Sequence, residues 1–397
     1  MNKEKLGVAL DGILTQTVSR RGGAPGVVAM VTDRKGNLYE GAAGRRHLKE
    51  ESSMTSDTVF ALFSTTKAIA GTCALQLIEE GKLNFDDPAG RYVPEIDELQ
   101  VLEYFDDEGK PHTRPPKRSI TIRDLFLHTS GLTYEFFSPE DQAYRRYYDI
   151  PNITACNFQS IRSVLLFDPG TAWAYGVNID WLGLVVEKLR GKRLGEVMRE
   201  KIFDPLEMQD IGFVMTQSMR DRLAVIHARS ETGQIEPLPD LILPQPPEMD
   251  MGGHGLYGTV GEYMKFIRML LDDGMGPGGR VLKSDTIAQM FEDGLLNLGL
   301  SVGGWKTADP ALTNDGEFLP GIDKGWGYTF MTNREQAPTG RPAGSVMWAG
   351  LANCYYWIDR KTGIGGYWAT QILPFYDVAS YPEYFEFETT TYANLKN

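Results

Sequence analysis

The chain has 397 residues, of which 42% are hydrophobic and 23% charged, and its formal net charge is −13. This composition is typical of a soluble globular protein with a large core. The acidic balance argues against nucleic acid or an anionic membrane as a partner, because both require a basic surface. We find no apolar run of membrane-spanning length and no secretory leader, so we expect a cytoplasmic protein.

The cysteines and histidines show no metal-binding or redox spacing. Cys73, Cys156 and Cys354 lie in apolar or aromatic surroundings without a C-x-x-C pair, so we interpret them as buried free thiols in a reducing compartment. The five histidines are scattered along the chain. The sequence therefore indicates neither a metal site nor a cofactor.

The N-terminal part predicts an amphipathic helix followed by a β-hairpin. Residues 27–32 and 38–44 have the composition of two strands, and the residues between them form a turn signal around Gly36. An antiparallel hairpin therefore begins the fold.

Ser64 and Lys67 open an apolar helical segment that ends at Gly81. Their i, i+3 spacing stacks a hydroxyl against an amine one turn along a helix. A serine needs a partner to accept its proton, and an amine with a lowered pKa can do so. On this motif alone, a helix-capping serine followed by a solvated lysine is an open alternative.

Most of the middle of the chain predicts helices, whereas strands return near the end. Long polar connections at 105–118 and 238–249 join the central helices, and connections of this length are usually functional or lid-like. The predicted helices are 122–128, 181–189, 194–202 and 263–271, and the late strands are 325–331, 346–358 and 364–373.

This order predicts an α+β fold in which both ends of the chain build one antiparallel sheet flanked by helices. A mainly helical lobe, residues 61–254, would be inserted into a sheet-containing lobe of residues 1–60 and 255–397. We expect one bilobal catalytic unit with its cleft between the lobes.

Four further motifs each have a structural interpretation when taken alone. The first motif, Leu-x-x-His-Thr-Ser-Gly-Leu at 125–132, is typical of a helix C-terminus with a buried His128. The second is Tyr175 after the turn Asp168-Pro169-Gly170, where a tyrosine is typically a core residue. The glycine-dense loop 252–259 lacks the lysine of a phosphate-binding loop. Trp348-Ala349-Gly350 lies in a predicted strand where the glycine permits close approach of another backbone.

Together with Ser-Thr-Thr-Lys at 64–67, these motifs in this order resemble the serine β-lactamase and penicillin-binding-protein superfamily. The chain looks most like its β-lactamase-like carboxylesterases, the family VIII esterases, over residues from about 25 to 375. The resemblance implies a β-lactamase/transpeptidase-like fold. It also implies that Ser64 is the acylated nucleophile and that Lys67 and Tyr175 move its proton to the leaving group.

The resemblance assigns the remaining site residues to the third motif and to one pocket tyrosine. Trp348 and Gly350 fall on the W-x-G that replaces the lactamase K-T-G, and Leu351 would pair its backbone N–H with that of Ser64 as the oxyanion hole. Tyr134 resembles a tyrosine that lines the substrate pocket in some members. Trp348, Gly350 and Tyr134 are therefore the predicted substrate-binding residues.

The chain departs from the lactamase pattern at two places. Val177 stands where a lactamase has the asparagine of Tyr-x-Asn, with Asn178 one place later and Asp180 matching the esterase pattern. A literal Lys361-Thr362-Gly363 lies between two predicted strands and is predicted to be a hairpin turn. The elbow G-x-S-x-G is absent, so an α/β-hydrolase triad has no support.

The predicted function is a serine carboxylesterase that hydrolyses small neutral esters by double displacement. A β-lactamase, a D-aminopeptidase or amidase, and an acyltransferase would use the same residues, and these alternatives stay open, as does the oligomeric state. A non-catalytic binding protein would have no need of the full serine, lysine and tyrosine set. Aromatic residues predict a hydrophobic pocket: Phe136, Phe137, Tyr144, Tyr147 and Tyr148.

Overall fold

The computed structural model describes residues 3–395, and its largest element is an eight-stranded antiparallel sheet. In spatial order the strands are β13 (Lys324–Trp326), β14 (Met331–Asn333), β15 (Val346–Gly350), β16 (Cys354–Asp359), β17 (Ile364–Ala369), β1 (Gly26–Asp33), β2 (Asn37–His47) and β3 (Ser52–Ser53). The two ends of the chain share this sheet. The predicted α+β fold is therefore confirmed.

Strand β1 joins the N-terminal hairpin to the C-terminal strands. It pairs with β2 on one side and with β17 on the other, where Val28 lies opposite Ala369 and Asp33 opposite Ile364. Strands β1, β16 and β17 are buried almost throughout, because helices cover both faces of the sheet.

Ten α-helices occur within residues 3–395: α1 (Lys3–Ser19), α2 (Thr66–Glu79), α3 (Ile122–Leu127), α4 (Pro139–Tyr148), α5 (Asn178–Arg190), α6 (Leu194–Met198), α7 (Gln217–Asp221), α8 (Val260–Leu271), α9 (Ser284–Phe291) and α10 (Ser380–Leu395). Helices α1 and α10 pack together on one face of the sheet, and α8 packs on the other. None of the helices in the described part of the chain is both long and apolar enough to cross a membrane.

Short strands form four small sheets around this core. The first contains β4 (Val59–Ala61), β10 (Tyr257–Thr259) and β7 (Ile211–Gly212); the second contains β18 (Ile372–Leu373), β8 (Ile226–Arg229) and β9 (Ile235–Leu238). Two hairpins complete the set, β5 (Val101–Phe105) with β6 (Pro111–Arg114) and β11 (Met275–Gly276) with β12 (Gly279–Arg280).

Helix α2, which follows Ser64, runs through the interior of the helical region. All of its residues from Thr66 to Leu77 are buried, and it packs against α5. A helix that is apolar on all sides requires such surroundings. Gly81, the predicted stop, follows the helix with a φ of +68° in the left-handed region.

All three predicted late strands are wrong in their extent. The segment 364–373 is divided into β17 and β18, which lie in different sheets. Residues 325–331 form the hairpin of β13 and β14, and residues 346–358 form the hairpin of β15 and β16, which turns at Asn353 with a φ of 62°. Aromatic and β-branched residues flank both turns closely, so composition alone gave no sign of a break. The predicted turn at 361–363 is confirmed, because Thr362 N–H donates to the Asp359 carboxylate at 2.9 Å.

Helix α10 was not predicted. Its sequence, S-Y-P-E-Y-F-E-F-E-T-T-T-Y-A-N-L, is rich in aromatic and threonine residues that favour strands. Packing decides otherwise, because Phe387 and Tyr384 contact Trp357 on the sheet. The three cysteines are free and buried, as predicted.

Candidate active site

Ser64 lies in a one-turn 3-10 helix, Phe63–Thr65, between strand β4 and helix α2. Phe63 has a φ of 44°, which is uncommon for a residue with a side chain and marks a sharp bend just before Ser64. Strand β4 is fully buried and paired with β10, so this bend is held on a rigid element. The Ser64 side chain forms part of the wall of a cavity.

Lys67 lies one turn further along and is completely buried. Its Nζ donates to Ser64 Oγ at 3.2 Å, to Tyr134 Oη at 2.8 Å and to the Gly253 carbonyl oxygen at 2.7 Å. The contact between Ser64 and Lys67 that the spacing predicts is therefore present.

The charge state of Lys67 depends on two opposing effects. Burial lowers the pKa of Lys67 to about 7, and the negative charge of Asp180 opposes that shift. Burial likewise raises the pKa of Asp180 to about 6, with Lys67 opposing it. An amine with such a pKa is neutral in a large share of molecules at neutral pH, and a neutral amine can accept the Ser64 proton.

Tyr175 and Trp348 form a hydrogen-bonded pair beside Ser64. Trp348 Nε1 donates to Tyr175 Oη at 2.9 Å, and both residues line the same cavity as Ser64. Lys67 Nζ lies 4.6 Å from the centroid of the Tyr175 ring, over its face. Trp348 is a predicted substrate-binding residue, but its indole N–H is thus bonded to Tyr175.

Tyr134, a predicted substrate-binding residue, lies behind the cavity wall next to Lys67. Its side chain is buried, its hydroxyl accepts from Lys67, and it is not among the residues that line the cavity. Its ring stacks on Phe136 with a centroid distance of 4.9 Å, and Phe136 lines the cavity in its place. The substrate-binding role of Tyr134 stays a prediction.

Strand β15 brings Gly350 and Leu351 to the cavity next to Ser64. A Cβ at Gly350 would lie 2.3 Å from the Leu62 carbonyl oxygen, so only glycine lets this strand approach the Ser64 turn so closely. The segment that carries the predicted oxyanion-hole residue Leu351 is thereby placed beside the Ser64 backbone.

The cavity has a volume of about 450 Å³, and eight of its lining residues are aromatic. As predicted, Phe136 and Phe137 line it. Tyr144, Tyr147 and Tyr148 do not: they lie on helix α4 away from the cavity, and Tyr148 is 52% exposed. No sequence motif pointed to several further residues of the wall, which include Trp173, Ser301–Lys306, Phe318, Met331 and Phe375.

The two histidines close to the site are buried and bonded within the fold. His128 caps helix α3 in the left-handed conformation and its Nδ1 contacts the Asn178 amide at 2.9 Å. His254 lies between Cys156 and Asp180, 3.7 Å from the Cys156 sulfur. Burial lowers the pKa of both imidazoles, so both are neutral at neutral pH.

Within residues 3–395, no group of three or more His, Cys, Asp or Glu side chains is placed to hold a metal ion. The cavity wall carries the Ser64 and Tyr175 hydroxyls and the backbone of strand β15, and the Lys67 amine and the Tyr134 hydroxyl lie behind Ser64.

A Ser-x-x-Lys pair with a buried lysine, at the start of a central helix and beside strand β15 of an antiparallel sheet, defines the serine β-lactamase and penicillin-binding-protein-like class. The chain belongs to the Beta-lactamase family, whose model matches residues 11–389. The resemblance to the serine β-lactamase and penicillin-binding-protein superfamily is confirmed.

Three relatives illustrate the range within this family. A lovastatin esterase of Penicillium rubens is 32% identical over 368 residues, which cover 88% of this chain and 89% of that protein. A monacolin J acid methylbutanoyltransferase of Aspergillus terreus is 30% identical over 353 residues, covering 86% and 84%. The solved structure of the LovD6 mutant of simvastatin synthase from Aspergillus terreus superposes with a TM-score of 0.85 at 28% identity, covering 98% of this chain and 95% of that one.

Proposed function

We propose that the protein is a serine carboxylesterase that hydrolyses neutral carboxylic esters through an acyl-enzyme on Ser64. The observation that carries the proposal is the 3.2 Å contact between Ser64 Oγ and a fully buried Lys67 amine with a lowered pKa. A serine with this partner can be deprotonated as it attacks a carbonyl carbon.

In the first half of the reaction, Ser64 Oγ bonds to the carbonyl carbon of the ester and its proton passes to Lys67 Nζ. The carbonyl π electrons move to the oxygen, which becomes an oxyanion next to the backbone N–H groups of Ser64 and Leu351. The C–O bond of the ester then breaks, the carbonyl reforms, and the departing alkoxide takes a proton. We assign the delivery of that proton to Tyr175, which lines the cavity with Ser64. Tyr175 then regains a proton from Lys67, whose Nζ lies over the Tyr175 ring at 4.6 Å from its centroid.

In the second half, a water molecule attacks the acyl carbon and the same groups act in reverse. The proton of the water passes to the lysine and tyrosine pair, and the C–O bond to Ser64 breaks as Oγ regains a proton. The carboxylic acid leaves, and the free enzyme is restored.

The cavity wall favours neutral, apolar acyl groups. A lactamase uses a lysine on the third-motif strand to hold the substrate carboxylate, and here Trp348 stands at that position with its N–H bonded to Tyr175. A charge-assisted hydrogen bond contributes about 1.5–3 kcal/mol, so its loss lowers affinity for an anionic β-lactam by about one to two decades. We therefore expect slow hydrolysis of β-lactams at most.

Transfer of the acyl group to an alcohol is a second candidate, because relatives at about the same identity include both an esterase and a methylbutanoyltransferase. The two reactions share the acyl-enzyme and differ only in whether water or an alcohol attacks it. The aromatic residues of the wall offer an apolar surface for an alcohol to displace water from the acyl carbon.

One experiment tests both candidates. The protein is incubated with p-nitrophenyl butyrate and a graded concentration of a primary alcohol, and nitrophenol, free acid and new ester are measured together. An esterase gives acid in proportion to nitrophenol, whereas a transferase gives the new ester at the expense of acid. No nitrophenol above the level of Ser64→Ala would refute the proposed acyl-enzyme chemistry.

A further inference from the structure

Asp180, in the first turn of helix α5, is a buried carboxylate with few partners. Its Oδ1 accepts the Gly253 backbone N–H at 2.8 Å, and its Oδ2 has no hydrogen-bond partner within the described residues. The nearest group of opposite potential charge within ion-pair distance is His254, at 3.8 Å, and burial keeps that imidazole neutral. A buried carboxylate with a single hydrogen bond is costly to keep.

One residue connects this carboxylate to the buried lysine. Gly253 donates its N–H to Asp180 and accepts from Lys67 Nζ through its carbonyl oxygen, at 2.7 Å. A Cβ at Gly253 would lie 2.3 Å from Asp180 Oδ2, so the close approach requires glycine. Asp180 therefore holds Gly253 in place, and the Gly253 carbonyl in turn binds the Lys67 amine.

The Gly253 carbonyl determines how the amine is oriented. A carbonyl oxygen can only accept, so it takes one N–H of Lys67 whatever the charge state. A neutral amine has two N–H groups and one lone pair. With the second N–H directed to Tyr134 Oη, the lone pair faces Ser64 Oγ, which is the orientation that accepts the Ser64 proton.

We propose that Asp180 is a positioning residue for acyl transfer, which holds the Lys67 amine toward Ser64 through Gly253 and keeps a buried carboxylate close to that amine. The inference rests on the proposed roles of Ser64 and Lys67. It assigns Asp180 no contact with the substrate, and Asp180 is not among the residues that line the cavity.

The charges around Lys67 support this assignment. Burial lowers the pKa of Lys67, and Asp180 is the group that opposes this. Four buried groups near Lys67 are neutral at neutral pH, because burial lowers the pKa of the imidazoles and raises that of the phenols: His128, His254, Tyr134 and Tyr175. Glu140 and Lys306 line the cavity, but they are not among the groups that shift the Lys67 pKa. Removing the Asp180 charge should therefore lower the Lys67 pKa further.

The test is the pH dependence of Ser64 labelling by a fluorophosphonate, followed by intact mass on the full chain. In Asp180→Asn the amide oxygen can still accept from Gly253, but the charge is lost. We expect its labelling curve to shift to lower pH by about one unit or more, as for the loss of a nearby opposite charge. A merely structural role would lower the rate without moving the curve.

Asp359→Asn is the matched control. Asp359 is also a fully buried aspartate, but it lies at the far end of strand β16, where it accepts from Thr362 N–H and Tyr392 Oη. Its labelling curve should coincide with that of the wild type. If Asp180→Asn has no cooperative thermal transition, Asp180→Ser, with a smaller side chain, takes its place with the same expected shift.

The possible results separate this inference from the proposed function. A labelled wild type whose curve coincides with that of the Asp180 variant overturns the inference about Asp180 alone. A wild type that is not labelled on Ser64 overturns the proposed function and, with it, the inference. A shift in the Asp180 variant and none in the Asp359 variant supports both.

Discussion

Replacing Trp348 by phenylalanine tests whether the indole acts on substrate or on Tyr175. The change keeps an aromatic ring on strand β15 and removes one N–H group, which donates to Tyr175 Oη at 2.9 Å. Burial raises the Tyr175 pKa and this hydrogen bond opposes the shift. Loss of this hydrogen bond should therefore destabilise the negative charge that develops on the Tyr175 oxygen as the phenol proton passes to the leaving group.

The size of the effect follows from the charge on the Tyr175 oxygen. A hydrogen bond to a charged group contributes about 1.5–3 kcal/mol, and each 1.36 kcal/mol corresponds to about a tenfold change in rate. We therefore expect kcat/KM for p-nitrophenyl butyrate to fall between roughly tenfold and 150-fold. KM should change much less than kcat, because the lost interaction strengthens in the transition state.

Trp357→Phe is the control for this measurement. Trp357 is also fully buried, but its indole N–H has no hydrogen-bond partner within residues 3–395, and it packs under helix α10. Its variant should keep kcat. An unchanged kcat with a raised KM in Trp348→Phe would refute the role of the indole N–H on Tyr175. It would indicate instead that Trp348 binds the substrate.

Four further outcomes are expected. Ser64→Ala should abolish ester turnover with little change in melting temperature, and a phosphonate adduct on another serine would contradict the assignment. Single replacements of Lys67 and Tyr175 should each cost nearly as much as both together, since the two act as a unit; losses that multiply in the double mutant would exclude this. Activity should rise with pH through about 7, because the Lys67 amine must lose its proton to act as base; a rate that is flat from pH 5 to 9 would exclude it as the titrating group. Lys361→Ala, in the turn after strand β16, should keep full activity in the ester assay.

Local spacing made part of this site predictable. Ser64 and Lys67 are one helical turn apart, so their contact follows from helix geometry once the segment is helical. The glycine at 350 was predicted to permit a close backbone approach, and the Leu62 carbonyl is the group that approaches it. Each of these inferences needed only a few neighbouring residues.

Long-range packing decided the rest. On helix α4, Asp141 and Arg145 face inward as a buried ion pair with a 2.6 Å contact, and the tyrosines face outward. Aromatic residues usually face the interior and charged residues the solvent, and helix α4 has the opposite arrangement. Hydrophobic periodicity would therefore predict that the wrong face of α4 is buried. The segment Ser301–Lys306 forms cavity wall without any regular secondary structure, and Gly253 contributes through its backbone, which carries no side-chain signal.

The pairing of β1 with β17 has a consequence for synthesis of the chain on the ribosome. Strand β1 is made early, whereas its partner is made roughly 330 residues later. At translation rates of about 5–20 residues per second, the apolar edge of β1 waits on the order of 20–70 s for that partner. An unpaired apolar edge invites association with other chains. Products that stop before residue 364 should therefore aggregate, and recovery of intact protein should improve when chaperones cover the nascent N-terminal hairpin.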